Sequence, residues 1–395
     1  MVTYKHSILF AFVMLVGFTG MAKDAAKKGD QSPSYKKSRY RVDVLTPLYL
    51  DELVKGRSTT FKDKMPEKAQ VGVAFYAGIT LAADSLKKEG FNIDIYVHDA
   101  ASDNESPERL ISMGRLDSSD LIIGAMLPPD IKVLSDFAKK KGINFVSTLS
   151  TSYVNAKHNP YLTLLYPSLK THCERIVAEA VKKHAHEKIT VLYRTKEAAD
   201  DACYDYVTDA TGNTLRMQYM ACNRPPKKVN LALFIEGKKE VVMIVPVNET
   251  DFADSLLHSL SSDFPDKHFE VYGMPSWAGI GDLKKNKAFP NITVHLTSAP
   301  AIDPNTPMAQ YVRRIYTQVY AGKMSSPVYD GFETLFFYAG LLKKYGTHFN
   351  EQYGSVTTPH SFDIQPQTDK GGNVRYYENT RVVVNDFGER ASKKK

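Results

Sequence analysis

Cysteine and tryptophan are scarce in this chain: three cysteines and one tryptophan in 395 residues. Cys173, Cys203 and Cys222 allow one disulfide and one free thiol, and their spacing fits no zinc pattern. In an oxidising compartment the expected pair is Cys203 with Cys222, joining a helix to the strand after it, although spacing alone leaves the connectivity open. Long apolar runs are also missing. Beyond residue 22 no segment reads as apolar over the roughly 20 residues that a bilayer crossing takes. There is no HExxH, no GxSxG and no phosphate-binding loop, so the motif-bearing enzyme classes have no support. Aromatic and basic residues do not interleave, and no nucleic-acid partner is expected.

The first 22 residues stand apart. Lys5 and His6 precede an apolar run from Ile8 to Val16 and a small-residue end at Gly20-Met21-Ala22. A charged start, a short apolar middle and a terminal alanine describe a secretory signal cut after Ala22, with an uncleaved anchor as the alternative. The run holds no cysteine for a lipid anchor, and the mature chain is expected in the periplasm of a double-membraned bacterium. It keeps 50 basic against 44 acidic residues. Much of that excess lies before the first strand and in Lys393, Lys394 and Lys395, which read as solvated tails.

With 43% hydrophobic content the rest can bury two cores. The stretch from Gln70 to Asp99 sets the pattern. Phe75, Ile79, Ala82, Ala83 and Leu86 recur at helical spacing, Gly90 ends the helix, and Ile93, Ile95 and Val97 follow as a strand. With Val42 to Leu48 upstream as a buried strand, this is a βαβ unit. The alternation continues through the strands Leu121 to Met126, Ile143 to Val146 and Tyr161 to Leu165, and a second series begins near Ser168. That series carries strands at Ile189 to Tyr193, Leu215 to Met220, Val241 to Pro246, Phe269 to Tyr272 and Ile292 to Leu296. Asn248 or Thr250 is placed to cap the helix holding Phe252, Leu256 and Leu260. Two further apolar helices start at Thr306-Pro307 and Asp330, and a last pair of strands, Ser361 to Ile364 and Arg381 to Asn385, flanks Gly371-Gly372. The fold class is α/β: two Rossmann-like lobes with parallel sheets.

The blocks VDVLTPL, FYAGITLAADSLKKEG, IDIYVHDA, LIIGAML, VVMIVPVNETDF, VYGMPSWAG, VHLTSAPAID and VYDGFETLFFYAGLLKKYG, in this order from about Arg39 to Gly388, resemble the type I periplasmic binding proteins. The similarity is to the leucine/isoleucine/valine-binding branch, in the divergent form found beside peptidoglycan-binding repeats in some envelope proteins. It implies two lobes joined by a three-strand hinge, with the last two helices returning to the first lobe and the closing hairpin to the second. The implied division is residues 1–22 signal, 23–39 basic linker, 40–166 with 302–348 first lobe, 167–301 with 349–388 second lobe, and 389–395 basic tail.

Ligands of such sheets lie at the C-terminal ends of parallel strands. Here those ends carry Tyr49, Leu127, Thr148, Ser150, Thr151, Tyr193, Arg194, Asn248, Ser276 and Trp277. The run Ser147, Thr148, Ser150, Thr151, Ser152 matches the family loop whose hydroxyl and amides hold a ligand carboxylate. Two departures stand out. Leu127-Pro128-Pro129 replaces the usual serines, and Pro275-Ser276-Trp277 replaces the loop that supplies an acid for a ligand ammonium. Trp277 reads either as a stacking platform or as a packed interlobe residue, and Arg194 either as an anion partner or as a surface ion pair. Ser85 to Lys88 has Ser-x-x-Lys spacing on an amphipathic helix, and His184, His186 and Glu187 form a polar helix end. Neither reads as catalytic.

The expectation is an exported solute-binding protein, without cofactor or metal and not an enzyme. It holds a small polar ligand in the cleft by hinge closure and works with an ABC permease. The alternative is a cell-envelope sensor or scaffold acting on a cell-wall or protein partner.

Overall fold

Strands that are apolar along their whole length form where a sheet is covered on both faces, and the chain contains two such sets. The computed structural model describes residues 35–388 apart from 63, 127, 149–157, 195–196, 213–216, 286–287 and 360. The first series is β1 (Tyr40–Thr46), the turn α1 (Leu50–Leu53), the short strands β2 (Val54–Lys55) and β3 (Ser58–Thr59), and the long helix α2 (Glu67–Lys88). It continues with β4 (Ile93–Asp99), α3 (Pro107–Ser112), β5 (Leu121–Gly124), α4 (Pro128–Lys141), β6 (Asn144–Ser147) and β7 (Leu162–Leu164). The second series is α5 (Leu169–Lys183), β8 (Ile189–Tyr193), α6 (Ala198–Thr211), β9 (Met217–Ala221), α7 (Lys228–Ile235), β10 (Glu240–Ile244), α8 (Thr250–Asp263), β11 (His268–Gly273) and β12 (Ile292–Ser298). Then come α9 (Pro307–Val319), α10 (Ser326–Tyr345), β13 (Ile364–Thr368), β14 (Val374–Asn379) and β15 (Val383–Phe387).

One sheet has the order β13-β14-β7-β6-β5-β1-β4 and the other β15-β12-β11-β10-β8-β9. The βαβ unit read from Gln70 to Asp99 is present: β1 pairs with β4 in parallel, from Tyr40 opposite Ile93 to Thr46 opposite Asp99. Helices α2, α9 and α10 cover one face of the first sheet, while Leu110, Ile131, Leu134 and Phe137 of α3 and α4 cover the other. The second sheet has its own core, in which Ile176, Val207, Leu256 and Phe269 are fully buried.

The closing strands differ from expectation. Three form instead of two, and the hairpin that turns at Gly371-Gly372 joins the first sheet, where β14 runs parallel to β7. Only β15 crosses to the second sheet, antiparallel to β12. The hairpin fills the first sheet's edge at β7, and β15 fills the second sheet's edge at β12. Helix α8 begins at Thr250 with Glu249 at the cap position and no side-chain cap bond, so neither Asn248 nor Thr250 caps it.

Among the described residues, only α2 has the length and apolarity of a membrane span, a composition that the hydropathy reading passed over. More than half of its apolar window is buried. Its close approach to α10 depends on glycine at both contact points. A Cβ at Gly78 would overlap the Val328 carbonyl oxygen, and one at Gly331 would overlap that of Phe75. This contact binds the chain's first helix layer to a helix 250 residues later, and so closes the first lobe.

A polar layer holds β15. His295 is buried and lies between Glu270 Oε2 at 2.6 Å and Asp386 Oδ1 at 2.7 Å, with its ring stacked on Tyr272. His268 Nε2 faces Glu270 Oε1 at 3.2 Å, and Lys183 approaches Asp386 at 3.8 Å. Burial works against the charges, but the two carboxylates hold His295 above the ordinary imidazole value, while the histidines hold Glu270 well below the carboxylate range. Asp386 is also lowered, chiefly by its bond to His295.

Two predictions follow from these contacts. Gly331→Ala should cost roughly 2 kcal/mol or more in urea unfolding through overpacking, whereas Gly340→Ala on the same helix, with open space around it, should gain up to about 1 kcal/mol. Equal effects at the two sites would refute the close-contact account. For pH, depressed carboxylates contribute stability above their unfolded values near pH 4 and lose it as pH falls; a raised histidine contributes below about pH 6.5 and loses it as pH rises. The melting-point difference between wild type and His295→Gln should therefore peak at about pH 5–6 and shrink on both sides; a difference that grew steadily toward pH 8 would contradict the network.

Candidate ligand cleft

The C-terminal edge of the first sheet is shaped by a carboxylate. Asp99, at the end of β4, accepts the amides of Leu48 at 2.8 Å, Tyr49 at 3.1 Å and Leu50 at 2.7 Å. The amides that an anion would seek after β1 are thus already occupied, and Tyr49 is turned into the left-handed region at φ 57°. Thr148 is buried, and both its amide (2.9 Å) and its hydroxyl (3.3 Å) donate to the Gly124 carbonyl. Leu127, Ser150 and Thr151 lie outside the described residues.

The second sheet brings five expected residues together, and they bond chiefly to one another and to neighbouring loops. Arg194 Nε donates to Asp200 Oδ2 at 2.7 Å, and its outer nitrogen pairs with Glu249. Asp200, fully buried, also accepts the Asn248 amide at 2.8 Å, and Asn248 Nδ2 lies 3.3 Å from Cys203 Sγ. Ser276 Oγ donates to the Asn248 carbonyl at 2.8 Å. Tyr193 stacks on Tyr204, whose ring meets the edge of Tyr219. Trp277 is wholly buried, its Nε1 donating to the Val247 carbonyl at 2.7 Å and its ring filling the space where Gly273 lacks a side chain. Trp277 thus packs inside the second lobe's core, not between the lobes, and Arg194 forms a largely buried ion pair, not a surface one. Neither stacking on a ligand nor free positive charge is available from them in this conformation.

Sequence reasoning missed the residues that connect the lobes. Glu378, at the end of β14, is buried and accepts the Ser168 amide at 2.7 Å and the Thr171 hydroxyl at 2.6 Å in the first turn of α5. A carboxylate there also faces the positive end of the helix dipole. Asn379 Nδ2 donates to the Leu165 carbonyl at 3.1 Å, and Asn385 Nδ2 donates to Ser298 Oγ at 2.9 Å. Each crossover between the sheets is tied to another by a side chain that lies about 90 to 210 positions away. Asp330 on α10 was also passed over. Burial, aided by Glu333, pushes its carboxyl up to about 7, and burial, with a smaller contribution from Asp330, raises the Tyr166 phenol beside the first crossover.

The cysteine pairing differs as well. All three are free thiols, and the bonding partner of Cys203 is Cys173 on α5, not Cys222. His184 bonds Glu187 at 2.7 Å and Tyr272 at 3.0 Å, which makes it the polar helix end that the sequence suggested. Among the described residues, one group has the spacing of metal ligands: Asp254, His258 and Asp282, whose ligand atoms fall within 4.8 Å of one another. It is open to solvent, and Lys285 already holds Asp282 at 2.6 Å.

Removing the carboxylate that ties the crossovers is directly testable. Glu378→Ala leaves the Ser168 amide buried without an acceptor, which should cost about 1–3 kcal/mol, and Glu378→Gln should recover part of it. Unfolding in urea measures both, and an unperturbed alanine variant would remove the tie from the account of the hinge.

No protein-family model matches the chain, and no curated protein matches it. Solved structures do. A protein from Rhodospirillum rubrum described as a branched-chain amino acid ABC transporter aligns at TM-score 0.61 and 11% identity, over 89% of this chain and 98% of its own. A substrate-binding protein of an ABC transporter from Desulfitobacterium hafniense, in complex with Leu, aligns at 0.52 and 12%, over 88% and 97%. The C-domain of LpoA from Haemophilus influenzae, a regulator of PBP1A, aligns at 0.52 and 12%, over 88% and 98%. With two lobes and parallel-dominated sheets, the chain has the fold of the type I periplasmic binding proteins.

Proposed function

We propose that this protein is exported and captures a small ligand between its two lobes, closing on it by bending at the crossovers. The observation that carries the reading is the hinge. Two independently cored sheets are joined by three strands of chain, and these are tied together by Glu378 and by Asn385 with Ser298. Such a connection holds the lobes in one register while leaving a single mode of relative motion. The composition of residues 1–22 supports export to the periplasm, and an ABC permease is the partner that a transport role requires. We assign the first lobe to 40–166 and 302–348 together with the β13-β14 hairpin, and the second to 167–301 together with β15.

The ligand is polar only in part. Arg194 is neutralised by Asp200 and Glu249, and Asp99 occupies the amides after β1. A zwitterionic amino acid would find few free charges on these loops. Binding without catalysis is the reading these committed side chains favour.

A second reading has its own support. The second-lobe rim is braced by its own side chains, and LpoA's C-domain shares the fold. A scaffold or sensor for an envelope protein uses the same two lobes as a fixed shape.

Thermal unfolding against amino acids, short peptides, sugars, nucleobases and muropeptide fragments separates the two. A compound at 100 times its dissociation constant adds about 2.7 kcal/mol, a rise of about 5 °C or more in the midpoint, and small-angle scattering should show a smaller radius of gyration with the same compound. A panel without any shift at millimolar concentration would sink the solute-binding reading in favour of the scaffold.

A further inference from the structure

A cavity lies among the crossovers, lined in part by the residues that flank Ser276 and Trp277. Its volume is about 200 Å³, and it is lined by carbon from Pro167, Pro275, Ala278, Leu296, Ala299 and Phe387. The first crossover contributes Tyr166 and Pro167, the second Ser298 and Ala299, and the strand fed by the third Asn385 and Phe387. The cavity wall thus draws on all three connections between the lobes.

Three of the polar side chains around this cavity, Ser298, Thr297 and Asn385, are held within its wall. Ser298 Oγ donates to the Ala299 carbonyl at 2.9 Å and accepts from Asn385 Nδ2 at 2.9 Å. Thr297 Oγ1 lies 2.8 Å from His172 Nδ1. His172 is only 5% exposed and lines the cavity, and its second ring nitrogen, Nε2, has no partner among the described residues. Burial lowers its pKa to about 4, so the imidazole is neutral at physiological pH. No Lys, Arg, Asp or Glu lines the cavity among the described residues.

We propose that this pocket binds one neutral, ring-sized molecule bearing a hydroxyl, with the hydroxyl bonded to His172 Nε2, and that its occupancy biases the hinge. Volume sets the size, because an apolar cavity of about 150 Å³ accommodates benzene, whereas sites for larger ligands run from about 300 Å³ upward. Charge sets the class. An ionised group would lose its hydration with no opposite charge to replace it, while a hydroxyl can donate to or accept from either tautomer of His172. The faces of Tyr166 and Phe387 suit a ring. The regulatory half of the proposal rests on the hinge-bending reading above; the binding half does not.

Phenol and benzyl alcohol are the probes, with toluene, benzoate and leucine as comparisons, titrated calorimetrically into the full chain. Phenol should bind more tightly than toluene by about tenfold, the worth of one hydrogen bond, and benzoate and leucine should not compete. His172→Leu should bring phenol down to the level of toluene without changing toluene itself. Ala278→Phe, at an exposed position that tolerates a larger side chain, should weaken both by tenfold or more. Phenol binding that neither variant changes, or no phenol binding at all, overturns the site. Spin labels on the two lobes read the hinge: a phenol-dependent change in their distance supports the bias, and an unchanged distance with phenol bound overturns it. A compound from the cleft panel that closes the lobes while phenol fails to bind would reject the pocket and leave the solute-binding reading standing. Phenol bound as proposed beside a panel with no hit would do the reverse.

Discussion

One buried carboxylate connects what the chain keeps apart. Glu378 belongs to the first sheet through β14, yet its oxygen receives the first amide and a hydroxyl of α5, the helix that opens the second lobe. A helix start has unsatisfied amides, and one buried without an acceptor is costly. The cheapest acceptor would come from the same lobe. Here it comes from a strand 210 residues later in the chain, so the second lobe's leading helix is complete only when the first lobe's closing hairpin is in place. The glycine contact between α2 and α10 does the same for the first lobe, whose early and late segments cannot be covered separately. Both contacts convert a discontinuous chain path into one cooperative body.

Against that frame the second-lobe rim is unusual in how little it leaves open. Arg194, Asp200, Asn248, Glu249 and Ser276 come from three different strand ends and bond mainly to each other. An arginine flanked by two carboxylates carries no free charge for a ligand carboxylate, and drawing it away would strand Asp200 in the protein interior, a cost of several kcal/mol. The rim is therefore rigid, and any selectivity it has comes from shape and from neutral hydrogen bonds more than from ionic capture. The contrast with the crossover cavity is physical. There the walls are mostly apolar, and His172 Nε2 has no partner among the described residues.

Much of the architecture could be read from residue order. Apolar strands flanked by amphipathic helices have few alternatives to a parallel sheet, and Ile93, Ile95 and Val97 after Gly90 formed the strand their pattern indicates. What was illegible depended on distant pairing. The helix α7 went unread because Val229 and Leu233 are exposed while Leu231 and Ile235 are buried, which leaves no apolar stripe to detect. The resemblance implied that the last hairpin joins the second lobe, whereas β13 and β14 extend the first sheet and only β15 joins the second. At the cleft, position was legible and availability was not. Trp277 and Arg194 do lie at strand ends, but Val247 and Glu249, which occupy them, are set beside them by the sheet, 30 and 55 positions away.

The hinge and the cavity are made of the same residues, and this couples their energetics. Bending at Tyr166-Pro167 and Ser298-Ala299 changes the walls of a space only slightly larger than a benzene ring, and close-packed walls do not deform without losing contact. An empty cavity lets the crossovers move at little cost in packing, whereas a filled one makes each angle of opening compress or abandon its occupant. A molecule that fits one angle best must shift the lobes toward that angle by the difference in its affinity for the two states, and by no more. On the proposed closure around a cleft ligand, that closure and occupancy of the cavity are reciprocal: whichever stabilises the shared angle tightens the binding of the other.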